Sequence, residues 1–157
     1  MFGDSKGKQD FSDFCDWPAL SGVKANVELL RGFQQRGKIL KCKQATVLFT
    51  QGERAKQVYF VVSGVVILTL PLSTTKTMRF VADDGSIIGI PAAVSNEAYS
   101  MTAIVWTDAE LIVLEREVFC EMVAHDPALS SGVLQILAAE TRSARLAIAK
   151  VGQTGRN

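Results

Sequence analysis

Residues 48–64 read "LFTQGERAKQVYFVVSG". A four-residue run of β-branched and aromatic side chains, Val58-Tyr59-Phe60-Val61, stands between two turn signals, Gln51–Ala55 and Ser63-Gly64. Side chains of that type fit a pleated strand, and breakers on both sides keep the strand short. The glycines supply tight turns and the apolar run supplies core.

The texture extends in both directions from this stretch. Upstream, "GKILKCKQATV" (37–47) continues it back to residue 38. Downstream, "KTMRFVADDGSIIGI" (76–90) adds strand material around a turn at Asp83-Asp84-Gly85. "SMTAIVWTDAELIVLE" (100–115) predicts two further strands around Thr107-Asp108-Ala109. Short strands recurring at about 8–12 residues predict an antiparallel β-roll or jelly roll over residues 38–116. Helical patterns flank it. Residues 10–36 carry Phe11, Phe14 and Trp17, a break at Pro18, then Val27, Leu30 and Phe33 on one face. Residues 117–151 predict a short helix up to Pro127 and a long one after it. In the long helix Leu134, Leu137, Thr141, Ala144, Ile148 and Val151 recur at alternating spacings of three and four, the seam of a two-stranded coil. That seam predicts a homodimer through residues 128–151, with Arg142, Arg145 and Lys150 on a solvated flank.

Composition narrows the function. The 157 residues are enough for one domain with a proper core, and 48% apolar with 21% charged is ordinary for a globular chain. The net charge of +1 gives no overall attraction to nucleic acid or membrane. No apolar run approaches a membrane span, and the N-terminus lacks the apolar centre of a signal peptide, so a cytoplasmic protein is expected. His125 is the single histidine and reads as a surface or turn residue; with no GxSxG motif beside it, no triad enzyme is indicated. Cys15, Cys42 and Cys120 have no metal-ligand spacing, so no metal site is expected. Arg31, Arg36, Lys38, Lys41 and Lys43 form a basic stretch, and residues 108–126 are acidic. Without an aromatic row or recognition helix, the basic stretch reads as a solvated face.

The same residues carry a family resemblance. Gly52, Ala55, the run 58–61 and Gly64 resemble the first signature of cyclic nucleotide-binding domains, with Phe49 a mild departure. Ile88-Gly89-Ile90-Pro91-Ala92, a spacer, and Tyr99-Ser100-Met101-Thr102-Ala103 resemble the phosphate-binding cassette of that family. Over roughly residues 12–150 the chain is similar to the effector domain of the Crp/Fnr superfamily of bacterial regulators. The resemblance implies a small-molecule-sensing domain of a transcription regulator, not an enzyme. It also exposes departures. The family's cassette glutamate, which accepts the ribose hydroxyl, stands at Ile90, and its arginine, which neutralises the cyclic phosphate, stands at Tyr99. A desolvated phosphate without its arginine loses a charge-assisted pair of about 1.5–3 kcal/mol. The expected ligand contacts are therefore Gly89, Ile90, Pro91, Ala92, Tyr99, Ser100, Met101 and Thr102, with Thr141 from the long helix.

Two readings of the loop stay open: a pocket retuned to an unidentified small-molecule or nucleotide-like effector, and a ligand-free relic in a structural or protein-interaction module. A third restores cyclic nucleotide binding through Arg142 or Arg145 from the long helix, which lines the pocket in the family. Four thiolates for an iron–sulfur cluster are not present, and His125 lies outside the roll where a haem ligand would stand. A thiol sensor at Cys42 or Cys120 stays open. Six residues follow Val151, so no helix-turn-helix is expected within this sequence.

Overall fold

The computed structural model of the chain describes residues 24–154. The expected helical stretch 10–23, with Phe11, Phe14 and Trp17, lies outside them. Helix α1 (Val27–Arg36) is capped by Asn26, whose side-chain oxygen accepts from the Leu29 amide at 2.9 Å. Five strands follow: β1 (Lys38–Cys42), β2 (Val47–Phe49), β3 (Gln57–Pro71), β4 (Thr77–Ala82) and β5 (Ile87–Ile88). Then come the short helix α2 (Ile90–Ser95), strand β6 (Thr102–Glu115) and helices α3 (Arg116–His125) and α4 (Pro127–Thr154). The strands form one antiparallel sheet in the order β1-β6-β3-β4, with β2 also on β6 and β5 also on β3. This is a jelly-roll-like fold with flanking helices.

The run Val58–Val61 explains how the roll and the helices are joined. In a strand, successive side chains face opposite sides. Val58 and Phe60 pack with Leu29, Phe33 and Phe119 on the helical side. Tyr59 and Val61 pack with Phe49, Tyr99 and Leu111 inside the roll. A strand buried on both faces has no polar side, which is why its sequence is uninterrupted apolar. The same alternation places Ile87 on the helical side and Ile88 inside the roll.

Two sequence expectations change here. Ser63-Gly64 is not a turn, because β3 passes straight through it, and β6 is one strand where two were expected. Both facts have one cause. The β3–β6 pairing shifts register between Val61 and Val66, opposite Val105–Leu111. Gly64 sits in this bulge at φ +95°, and a side-chain carbon there would lie 2.6 Å from the Asp108 carbonyl oxygen. The glycine makes the long strands bend instead of breaking. Pro127, expected to end a helix, also begins the next one, as a residue without an N–H can.

The first part of α4 packs inward through Leu129, Val133 and Ile136. Gly132 lets it approach α1 closely, since a side chain there would strike Asn26 and Leu29. Beyond Leu137 no side chain described on α4 is buried, and Leu134, Leu146 and Ile148 are 66%, 54% and 66% exposed.

Candidate ligand cavity

Ile88 ends β5 pointing into the roll, and Gly89 then takes a left-handed conformation at φ +97°. This kink starts α2 and divides its residues between the two cores. Ile90 and Ala93, three apart on one helix face, enter the helical core, where Ile90 is fully buried. Ala92 faces the roll, and Pro91 sits exposed on the rim. Between this segment and α4 lies a cavity of about 100 Å³.

Of the nine ligand contacts expected from sequence, six line the cavity: Gly89, Pro91, Ala92, Tyr99, Ser100 and Met101. Three do not. Ile90 is turned away by the Gly89 kink into the helical core that Val58, Phe119 and Ile136 share. Thr102 lies in β6, and its hydroxyl oxygen accepts from the Gln51 amide at 3.0 Å. Thr141 is exposed on the outer face of α4, and its hydroxyl donates to the Leu137 carbonyl at 2.9 Å. Arg142 and Arg145 share that outer face with Leu134 and Leu146, so neither stands in for the cassette arginine. The face of α4 that does line the cavity is Ile136, Ala139, Glu140 and Ser143, and Phe49 and Ser86 complete the polar and aromatic lining from the roll. The sequence hides this face of α4 behind the more regular heptad seam. The signal was present: residues 136, 139, 140 and 143 also recur at i, i+3, i+4 and i+7, with small residues and one acid.

Tyr99 fills the place that the resemblance assigns to arginine, and it is fully engaged. Its ring stacks on Phe49 at 3.7 Å and 12°. Its hydroxyl donates to the Gln57 carbonyl at 2.6 Å and accepts from the Gln57 amide at 3.3 Å. Burial raises its pKa above the ordinary tyrosine value, so it stays neutral. The hydroxyl expected to greet a ligand is thus committed to β3, and the ring is what the cavity sees.

Among the described lining residues Glu140 is the one carboxylate. It is half-buried, and burial pushes its carboxyl up to about 7. Among the described residues no ion pair or hydrogen bond takes that carboxylate. The lining residues described include no Lys, Arg or His.

Of the two described thiols, Cys42 is buried in the roll and Cys120 is half-buried against the helical core. Burial raises the Cys42 thiol, the opposite of what a reactive thiolate needs. The Cys120 thiol donates to the Ala93 carbonyl at 3.6 Å, beside the Arg116 Nε–H donating to the same oxygen at 2.7 Å. Among the described residues no group of three or more His, Cys, Asp or Glu converges for a metal, and no helix is long and apolar enough to cross a membrane.

The sequence profile of the family described as "cyclic nucleotide-binding domain" matches residues 39–126, more than half of the chain. The chain belongs to the cyclic nucleotide-binding domain family. The matched region runs from β1 to the end of α3 and includes the whole cassette. The solved structures it resembles agree in fold. The catabolite activator protein of Thermus thermophilus is similar at a TM-score of 0.69 and 22% identity, over 85% of this chain and 62% of that one. A cyclic nucleotide-binding domain from Methylobacillus flagellatus KT is similar at 0.65 and 18%, over 81% and 72%. The N-terminal domain of a transcriptional regulator from Streptomyces coelicolor A3(2) is similar at 0.58 and 17%, over 76% and 86%. The chain thus spans less than two thirds of the Thermus thermophilus protein's length. No curated protein matches it.

Proposed function

We propose that this chain is the small-molecule-sensing domain of a Crp/Fnr-type transcription regulator, that it acts in the cytoplasm without catalysing a reaction, and that it does not hold cyclic AMP in the family's usual way. The observation that carries the reading is the cavity beneath α4. The cassette segment lines it, yet Tyr99 occupies the place the resemblance assigns to arginine, Glu140 brings a carboxyl, and no Lys, Arg or His stands among the described lining residues. Above about pH 7, where Glu140 is ionised, it repels a phosphodiester; below that its neutral carboxyl offers the phosphate no compensating charge. Signal transfer needs a ligand that favours one arrangement of α4 over another, and Ile136, Ala139, Glu140 and Ser143 give it direct purchase on that helix.

The domain is read as a homodimer through α4. The helix leaves a stripe of Leu134, Ala138, Thr141 and Leu146 exposed on the opposite side from the cavity, with Leu137 half-buried at its edge. The same stripe favours the second reading, a ligand-free interaction module that uses α4 alone. Thermal shift separates them. A ligand at one hundred times its Kd adds about 2.7 kcal/mol of stability. A metabolite panel in which some compound raises Tm while cyclic AMP and cyclic GMP do not supports the sensor. A panel that moves nothing supports the module, and a rise with micromolar cyclic AMP refutes the proposal.

A further inference from the structure

The cavity's chemistry specifies what it takes. We propose that it binds a compact, apolar organic cation, a protonated amine carried on a ring or short hydrocarbon, with the ammonium on Glu140, and that it rejects anions. This rests on the reading of the cavity as a ligand site.

Three observations converge on that class. First, the walls are apolar: Leu68, Ile87, Ile88, Pro91, Met101 and Ile136 surround the space, so a ligand gains by bringing hydrocarbon. Second, the stacked rings of Phe49 and Tyr99 both border it, and Tyr99 is held neutral with its hydroxyl turned to β3. A π-face in a desolvated site attracts a cation and offers an anion nothing. Third, Glu140 enters from α4 with no partner for its carboxylate within the described residues, while Ser86, Ser100 and Ser143 offer only neutral hydroxyls. An ammonium brings three donors and one positive charge to a carboxylate that accepts on both oxygens. A neutral ligand leaves the carboxylate unpaired in a site that has lost water, and an anion adds repulsion. The enclosed space is only about 100 Å³, which limits the ligand to a compact one.

The test uses the whole chain and three probes of one shape: benzylamine, benzyl alcohol and benzoate, with cyclic AMP as a fourth. Amide chemical shifts are followed by two-dimensional NMR at pH 8. Benzylamine is expected to shift residues 86–92, 99–101 and 139–143 saturably, and benzoate and cyclic AMP are expected to leave them in place. Glu140→Gln is expected to weaken benzylamine at least tenfold and to leave benzyl alcohol unchanged. Glu140→Asp, which keeps the charge, is expected to retain the preference for the amine, and circular dichroism checks that both variants fold. Benzoate or cyclic AMP binding as tightly as benzylamine overturns the inference, as does Glu140→Gln binding benzylamine as tightly as the native chain. Benzyl alcohol binding as well as benzylamine sinks the cation preference but leaves the cavity reading standing. If none of the four moves these residues, both fall.

Discussion

Glu140 should tie the stability of the domain to pH, and the sign follows from its position. Its carboxyl rises from an ordinary 4.5 to about 7 on folding because burial disfavours the charged form. Below pH 4.5 the group is neutral in both states and takes nothing from stability. As pH rises the unfolded chain ionises it first, and folding is progressively disfavoured until about pH 7, above which the loss is constant. A shift of that size at full strength is roughly 3 kcal/mol at 1.36 kcal/mol per unit. Glu140 is only half-buried, so water screens part of it, and about 1–2 kcal/mol is expected. For a domain of this size that is about 2–8 °C in Tm. Calorimetry from pH 4.5 to 8 on the native chain and on Glu140→Gln isolates the effect, because every other group is common to both and cancels in the difference. The variant should gain on the native chain as pH rises to 7 and hold its lead above it. A difference that stays flat, or one in which the native chain gains with pH, refutes the buried-carboxylate reasoning.

Other outcomes follow from the same contacts. Tyr99→Phe keeps the stack on Phe49 but strips the Gln57 carbonyl of its 2.6 Å donor, and urea unfolding should show a loss of about 1–2 kcal/mol. Ile90→Ala empties a fully buried site in the helical core and should cost about 2–5 kcal/mol in the same assay; a loss below 1 kcal/mol would mean that Ile90 is not packed as described. Gly64→Ala forces a side chain against β6 backbone at a positive φ, and a cooperative unfolding midpoint equal to the native one would contradict the bulge. Leu146→Asp, at a position exposed in the fold, should convert a sedimenting dimer to a monomer while leaving the far-ultraviolet spectrum intact; a dimer that survives places the interface elsewhere.

The fold was legible because its signals are local. Turn residues at 51–55 and 83–85, a two-face apolar strand at 58–61 and helical periodicity after 116 each read from a short window. What failed to read was non-local. Gly64 looks like a turn until Asp108 and Ala109 are known to lie against it, when it becomes a bulge. The cassette loop was found in sequence, but the direction of its side chains was not. Ile90 and Pro91 are neighbours, and only the φ of Gly89 decides which of them meets the cavity. Tyr99 looked like a free hydroxyl because its partner, Gln57, is 42 residues away. On α4 two stripes fit helical spacing, and only packing assigns Thr141 to the outside and Glu140 to the inside.

The kink at Gly89 leaves α2 pinned like a rivet through two plates, with Ile90 set in one compartment and Ala92 in the other. A rivet cannot be re-cut without loosening both plates. Any change in what this site recognises therefore has to be written on the opposite rim, at Ser100, Met101, Ala139, Glu140 and Ser143, where side chains answer to the cavity alone or to one small cluster beside it.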